Sequence, residues 1–101
     1  MKKRKRAESI MQSVKECYVC RAEGDDLHPH HAMKGTANRA KADEWGLWVW
    51  LCPLHHMGTY GVHGTHGHNL DLYIKQRAEQ AFLEKVGDMD MWMEEFGKNF
   101  L

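Results

Sequence analysis

Three cysteines and eight histidines carry most of the chemistry available to this sequence. Cys17 and Cys20 stand as C-Y-V-C, a knuckle whose two thiolates can hold one metal ion from one side. A tetrahedral Zn²⁺ requires four such donors. Cys52 opens C-P-L-H, so Cys52 and His55 repeat the spacing of the first knuckle and complete a Cys₃His set suited to a structural zinc. This pairing also accounts for the odd cysteine, which a disulfide framework would leave over. Two plainer readings compete. Cys17 and Cys20 could be half-buried thiols with Cys52 at the core end of a strand, or C-Y-V-C could be a redox motif, although no βαβ pattern surrounds it.

All eight histidines fall between residues 28 and 68, in two concentrations. One is L-H-P-H-H, with His28, His30 and His31. The other is the glycine-rich L-C-P-L-H-H-M-G-T-Y-G-V-H-G-T-H-G-H-N, which holds His56, His63, His66 and His68 besides His55. Side chains alternate along a strand, so His30 and His31 should face opposite ways, while His28 shares a face with His30. Adjacent histidines can then divide the work. One binds a metal, and its neighbour acts as a base whose ordinary pKa suits proton abstraction from water.

Short elements must position these groups. Residues 7–16 read as a polar helix, and Leu27 to Met33 and Leu47 to Leu51 as strands, the second being the aromatic, β-branched run L-W-V-W-L. Between the strands, K-G-T-A-N-R-A-K-A-D-E-W-G reads as a loop with a single helical turn. Beyond the glycine-rich hinge, Asn69 or Asp71 can cap a helix in which Leu70, Ile74, Ala78, Ala81 and Phe82 follow helical spacing, with Gly87 as its stop. A last helix around Asp90 to Phe96 ends at Gly97, and Met89, Met91, Trp92, Met93 and Phe96 are its expected core contacts.

Composition frames the rest. A chain of 101 residues is one domain whose apolar core leaves little margin, so a structural metal would add needed stability. Hydrophobic content of 43%, with four Trp, three Tyr and three Phe, is that of a globular chain. No apolar run approaches the roughly 20 residues of a membrane span, and M-K-K-R-K-R is not followed by an apolar signal segment. A cytoplasmic protein without a membrane partner is expected. Five of the 14 basic residues, Lys2, Lys3, Arg4, Lys5 and Arg6, lie in the first six positions, leaving nine against 14 acidic ones. This divides the chain into a basic arm and helix over 1–16 and a zinc-binding domain over 17–101. The arm suits nucleic-acid phosphates, or is merely solubilising.

In their order, H-P-H-H-A-M-K-G-T-A-N-R and then W-V-W-L-C-P-L-H-H, these residues resemble the HNH nucleases over about residues 17–63. The whole chain is similar to small HNH proteins of bacteriophages and prophages. The resemblance implies an α+β fold: a zinc-stabilised, treble-clef-like ββα-metal core with flanking N- and C-terminal helices. It implies His30 and His56 as catalytic-metal ligands, His31 as the general base, and Asn38 as the residue that orients that base or braces the loop. The usual position of a third ligand, one helical turn on, is Tyr60, so His63 is assigned instead, with His66 and His68 as bystanders. Imidazole ligands with open positions accept Mg²⁺, Mn²⁺, Ni²⁺ or Zn²⁺. Arg39 would contact phosphate or simply be solvated. Trp45, Trp48 and Trp50 could stack on bases, with core packing favoured for two of the three.

The function so implied is metal-dependent hydrolysis of DNA phosphodiesters, as nicking or branched-DNA cleavage, in a bacterial host cell. The alternatives are a non-catalytic zinc module that binds DNA or protein, and an adaptor or inhibitor whose acidic body contacts a host or phage protein. A homodimer stays open.

Overall fold

Bulky side chains that favour extended backbone make W-V-W-L a strand, β2 (Trp48–Leu51), which pairs antiparallel with β1 (His28–His31). In this computed structural model, which describes residues 6–101, the order is β1, α1 (Thr36–Trp45), β2, α2 (Pro53–Met57), α3 (His68–Lys85) and α4 (Met89–Phe96). The class is α+β, a two-stranded sheet with four helices. Both strands are shorter than the sequence predicts. Pairing runs only from His28 opposite Leu51 to His31 opposite Trp48, while Leu27 and Met33 are buried just beyond its ends.

Two expectations about local structure are overturned. The segment between the strands is a ten-residue helix, α1, where a loop with one turn was expected. Its Ala, Arg, Lys and Glu residues are good helix formers, but only Ala42 is buried, so no apolar stripe announces it. It ends at Gly46, whose φ of 72° is left-handed and whose missing Cβ leaves room for the Glu8 carbonyl.

That carbonyl belongs to the second departure. Residues 7–16 form no helix; they run as a strap across the outer edge of β2. Ser9 Oγ donates to the Trp48 carbonyl (2.6 Å) and accepts from the N–H groups of Met11 and Gln12. Gln12 Oε1 accepts from the Trp50 N–H (2.9 Å), and Tyr18 N–H donates to the Trp50 carbonyl (2.8 Å). An edge strand must satisfy or cover its free backbone groups, and meeting that need holds the strap along β2 as a bent, irregular segment.

Past β2, Cys52 begins α2 with Pro53 in its first turn. The hinge that follows is wound on its own backbone, and a Cβ on Gly67 would strike the Gly61 carbonyl. Helix α3 starts at His68 with Gly67 as its N-cap, slightly before the polar caps expected at Asn69 or Asp71, and ends before Gly87. Asp88 caps α4, accepting from Met91 N–H at 3.0 Å, and Gly97 closes it in the left-handed region. Phe82 and Trp92 are fully buried, with ring centroids 5.3 Å apart, beside Leu47, Val49, Leu51 and Ile74. Met93, an expected core residue, is instead 40% exposed. Among the described residues, no helix is long and apolar enough to cross a membrane.

Candidate metal centres

The knuckle at Cys17 is a tight turn, in which Cys17 N–H donates to the Ala22 carbonyl and Arg21 N–H to the Cys17 carbonyl, both at 2.8 Å. Cys52 and His55 lie at the opening of α2, where three residues of helix bring their side chains onto one side. The four donor atoms of Cys17, Cys20, Cys52 and His55 all fall within 4.8 Å of one another. Cys20 and Cys52 Sγ are 3.8 Å apart, and His55 Nδ1 is 3.6 Å from Cys17 Sγ and 3.2 Å from Cys52 Sγ. Tetrahedral zinc with ordinary bond lengths would space two sulfurs by about 3.8 Å and a sulfur and a nitrogen by about 3.5 Å. This cluster can therefore hold a metal ion such as zinc.

Its electrostatics suit a cation. Burial pushes the Cys17 thiol up, but hydrogen bonds from the backbone at Cys20, Cys52 and Val19 outweigh it and bring the pKa from 9.0 down to about 6. Cys52 is shifted up, mainly by burial and by sharing the site with the other thiols. A cation held among these thiols would favour the deprotonated form of each.

His30, His56 and His63 form a second cluster, each with a ring nitrogen within 4.8 Å of the others. Their ring centroids are separated by 4.8 to 5.5 Å. His30 is only 4% exposed, and its Nε2 is buried without a hydrogen-bond partner. Burial, reinforced by His56 and His63, lowers its pKa from 6.5 to about 3, with Asp71 acting the other way. His56 is lowered too, by burial and by its neighbours His63 and His28. Three imidazoles converging in this way are a donor set that fits a divalent cation.

The glycine-rich hinge explains how His63 arrives. Val62 N–H donates to the His55 carbonyl (2.9 Å) and His63 N–H to the His56 carbonyl (3.1 Å), so the chain doubles back on α2. Tyr60 points away, 72% exposed, and its ring stacks on His66 at 5.3 Å. His68 is exposed at the start of α3 and lines a separate hollow with Asp71 and Phe100. His28, which had no assigned role, places Nδ1 2.9 Å from His56 Nδ1 and so restrains that ring.

His30, His31, His56 and His63 line one open hollow of about 350 Å³, with Lys34 and Arg39 on its wall. His31 Nε2 is 2.7 Å from Asp43 Oδ1 on α1. Asn38 instead donates its side-chain amide to the Lys34 carbonyl at 2.9 Å. Of the two roles implied for Asn38, its contact corresponds to bracing the loop; the side chain bonded to His31 is Asp43. Arg39 reaches Thr36 Oγ1 at 3.4 Å, and Lys34 Nζ lies 3.5 Å from Asp71 Oδ1. Sequence reasoning missed Asp43 and Lys34. Lys34 stands inside the quoted motif and could have been noticed, whereas Asp43 gains meaning only once α1 is known to be a helix.

Trp45 packs edge-on against Phe82, and Trp48 is buried with its Nε1–H donated to the Ala7 carbonyl. Trp50 is half-buried under the Lys15 ammonium, 4.7 Å from its ring. Arg6 lies over the Trp48 ring at 4.4 Å, while Lys2, Lys3, Arg4 and Lys5 fall outside the described residues. Comparison of the chain with protein-family models, with curated proteins and with solved structures finds no match.

Proposed function

We propose that this protein is a metal-dependent endonuclease of the HNH type, a ββα-metal enzyme that hydrolyses DNA phosphodiesters. The observation that carries the reading is the shared hollow, in which the carboxylate-bound imidazole of His31 stands beside the trio His30, His56 and His63. A base next to a cation site is the minimum apparatus for attack by water on a phosphodiester. Cys17, Cys20, Cys52 and His55 would hold a structural zinc that ties the N-terminal knuckle to the end of the hairpin. Their thiolate-rich donor set favours zinc over the harder divalent ions.

In the second cluster His30, His56 and His63 would hold Mg²⁺, Mn²⁺, Ni²⁺ or Zn²⁺, which when bound supplies positive charge to the phosphate and the departing 3′-oxygen. His31 accepts the proton of the attacking water at Nδ1, because Nε2 is engaged by Asp43. Lys34 and Arg39, on the wall of the same hollow, offer charge to neighbouring phosphates, and the sequence from Lys2 to Arg6 adds positive charge that suits a nucleic-acid partner.

The test is nicking of supercoiled plasmid with each divalent ion, comparing wild type with His31→Ala at matched fold and zinc content. Loss of a general base lowers the rate by about 10²–10⁴-fold. Equal cleavage by the two proteins would remove His31 from its role. A wild type inert with every ion would turn the reading toward a non-catalytic zinc module.

A further inference from the structure

We infer that Asp43 is the positioning residue for His31, fixing the ring so that Nε2 carries the proton and Nδ1 faces the hollow. The inference deepens the nuclease reading and rests on it for its kinetic consequence, but its structural content is independent of cleavage. Three observations support it. The Nε2 to Oδ1 separation is 2.7 Å, in the range of a charge-assisted hydrogen bond, and both side chains are only about a quarter exposed, at 26% and 24%. The carboxylate is held by a rigid support, since α1 is anchored on one side of Asp43 by buried Ala42 and on the other by Trp45 against Phe82. Asp43 also stands in the last turn of α1, beside Glu44 and with no basic residue there, where the helix dipole disfavours a carboxylate. A residue placed against its local electrostatic preference and bonded to a histidine is more readily explained by that bond than by helix stability.

The bond has a definite consequence. With Nε2–H donated to Asp43, the lone pair on Nδ1 accepts the proton from water, and the carboxylate stabilises the imidazolium then formed without itself taking the proton. His30, one residue earlier on β1, is left to the metal cluster. The side chain bonded to His31 Nε2 is that of Asp43, while the Asn38 amide N–H donates to the Lys34 carbonyl.

The experiment uses the full chain in four forms, wild type, Asp43→Ala, Asp43→Asn and Asn38→Ala, with zinc at the first centre, diamagnetic Mg²⁺ added for the spectra and Mn²⁺ for the cleavage assays. With ¹⁵N-labelled histidine at pH 8, the His31 Nε2–H should give a downfield resonance protected from water exchange. It should be present in wild type and Asn38→Ala and lost in Asp43→Ala. Plasmid cleavage by Asp43→Ala should lose about 100-fold or more in kcat with KM nearly unchanged. Asp43→Asn, which keeps an acceptor but no charge, should fall between, with metal content and melting held at wild-type values in both variants. A wild type lacking the protected resonance overturns the inference whatever its activity. So does Asp43→Ala cleaving like an active wild type, or both Asp43 variants losing metal or fold along with activity. A protected resonance in a wild type that cleaves no DNA would keep the positioning role and overturn the nuclease reading alone.

Discussion

Replacing Cys52 by serine tests the structural centre with least disturbance elsewhere. Cys52 is the N-cap of α2 and makes no side-chain cap bond there, a position that serine favours, and the exchange of sulfur for oxygen scarcely changes shape. The cost therefore comes from the ion. A metal joining Cys20 to Cys52 closes a loop spanning 32 residues, and a cross-link of that length removes about 4 kcal/mol of chain entropy from the unfolded state at 25 °C. A domain of this size has about 5–15 kcal/mol in all. At about 4–8 °C per kcal/mol, Cys52→Ser should melt about 15–30 °C below wild type. Thermal unfolding followed by far-ultraviolet circular dichroism, with zinc counted by a chromophoric chelator after denaturation, measures both quantities. Wild type should keep one tightly held zinc that Cys52→Ser loses, and chelator-treated wild type should fall to the melting point of the variant. A Cys52→Ser protein that keeps its zinc and melts like wild type would refute the assignment and the loop-closure estimate together.

Three further substitutions separate elements of the fold and site. His63→Ala should weaken Mn²⁺ binding at the second centre by more than about 100-fold, beyond the usual cost of losing a group behind the ligands. His66→Ala, which removes only a ring stacked on Tyr60, should leave that binding unchanged, as electron paramagnetic resonance would report. Gly46→Ala places a side chain at a left-handed position and against the Glu8 carbonyl, so it should cost about 1–2 kcal/mol and loosen the strap. Faster tryptic cleavage after Lys15 would show the loosening, and unchanged cleavage and melting would refute it.

The sequence was most legible where chemistry depends on neighbours along the chain. C-Y-V-C and C-P-L-H declare themselves because two donors three residues apart can reach one ion whatever the rest of the fold does. Helix α3 was legible for the same kind of reason, since Leu70, Ile74, Ala78 and Phe82 already mark a buried face at helical spacing. Helix α1 was not, because a helix that buries a single alanine carries no periodic signal. The strap was misread because its polar residues suit a helix in isolation. Only the unpaired edge of β2, with Trp48 and Trp50 offering backbone groups to Ser9 and Gln12, makes a non-helical path along that edge the better one.

The same division runs through the site. Residue types and spacing named the four donors of the first cluster and set His56 apart from His55, whereas His30, His31 and His56 were assigned together only through the resemblance to the HNH nucleases. That His63 rather than position 60 completes the trio was a choice the sequence left open, decided by two backbone hydrogen bonds that fold the hinge onto α2. That Asp43, and not Asn38, bonds His31 was beyond the sequence altogether. Twelve residues separate Asp43 from His31, and only the packing of α1 against the hairpin brings a carboxylate within 2.7 Å of that ring. Local spacing determines which donors can share an ion, whereas the partner of a base is set by how separate elements pack, which no pattern along the chain records.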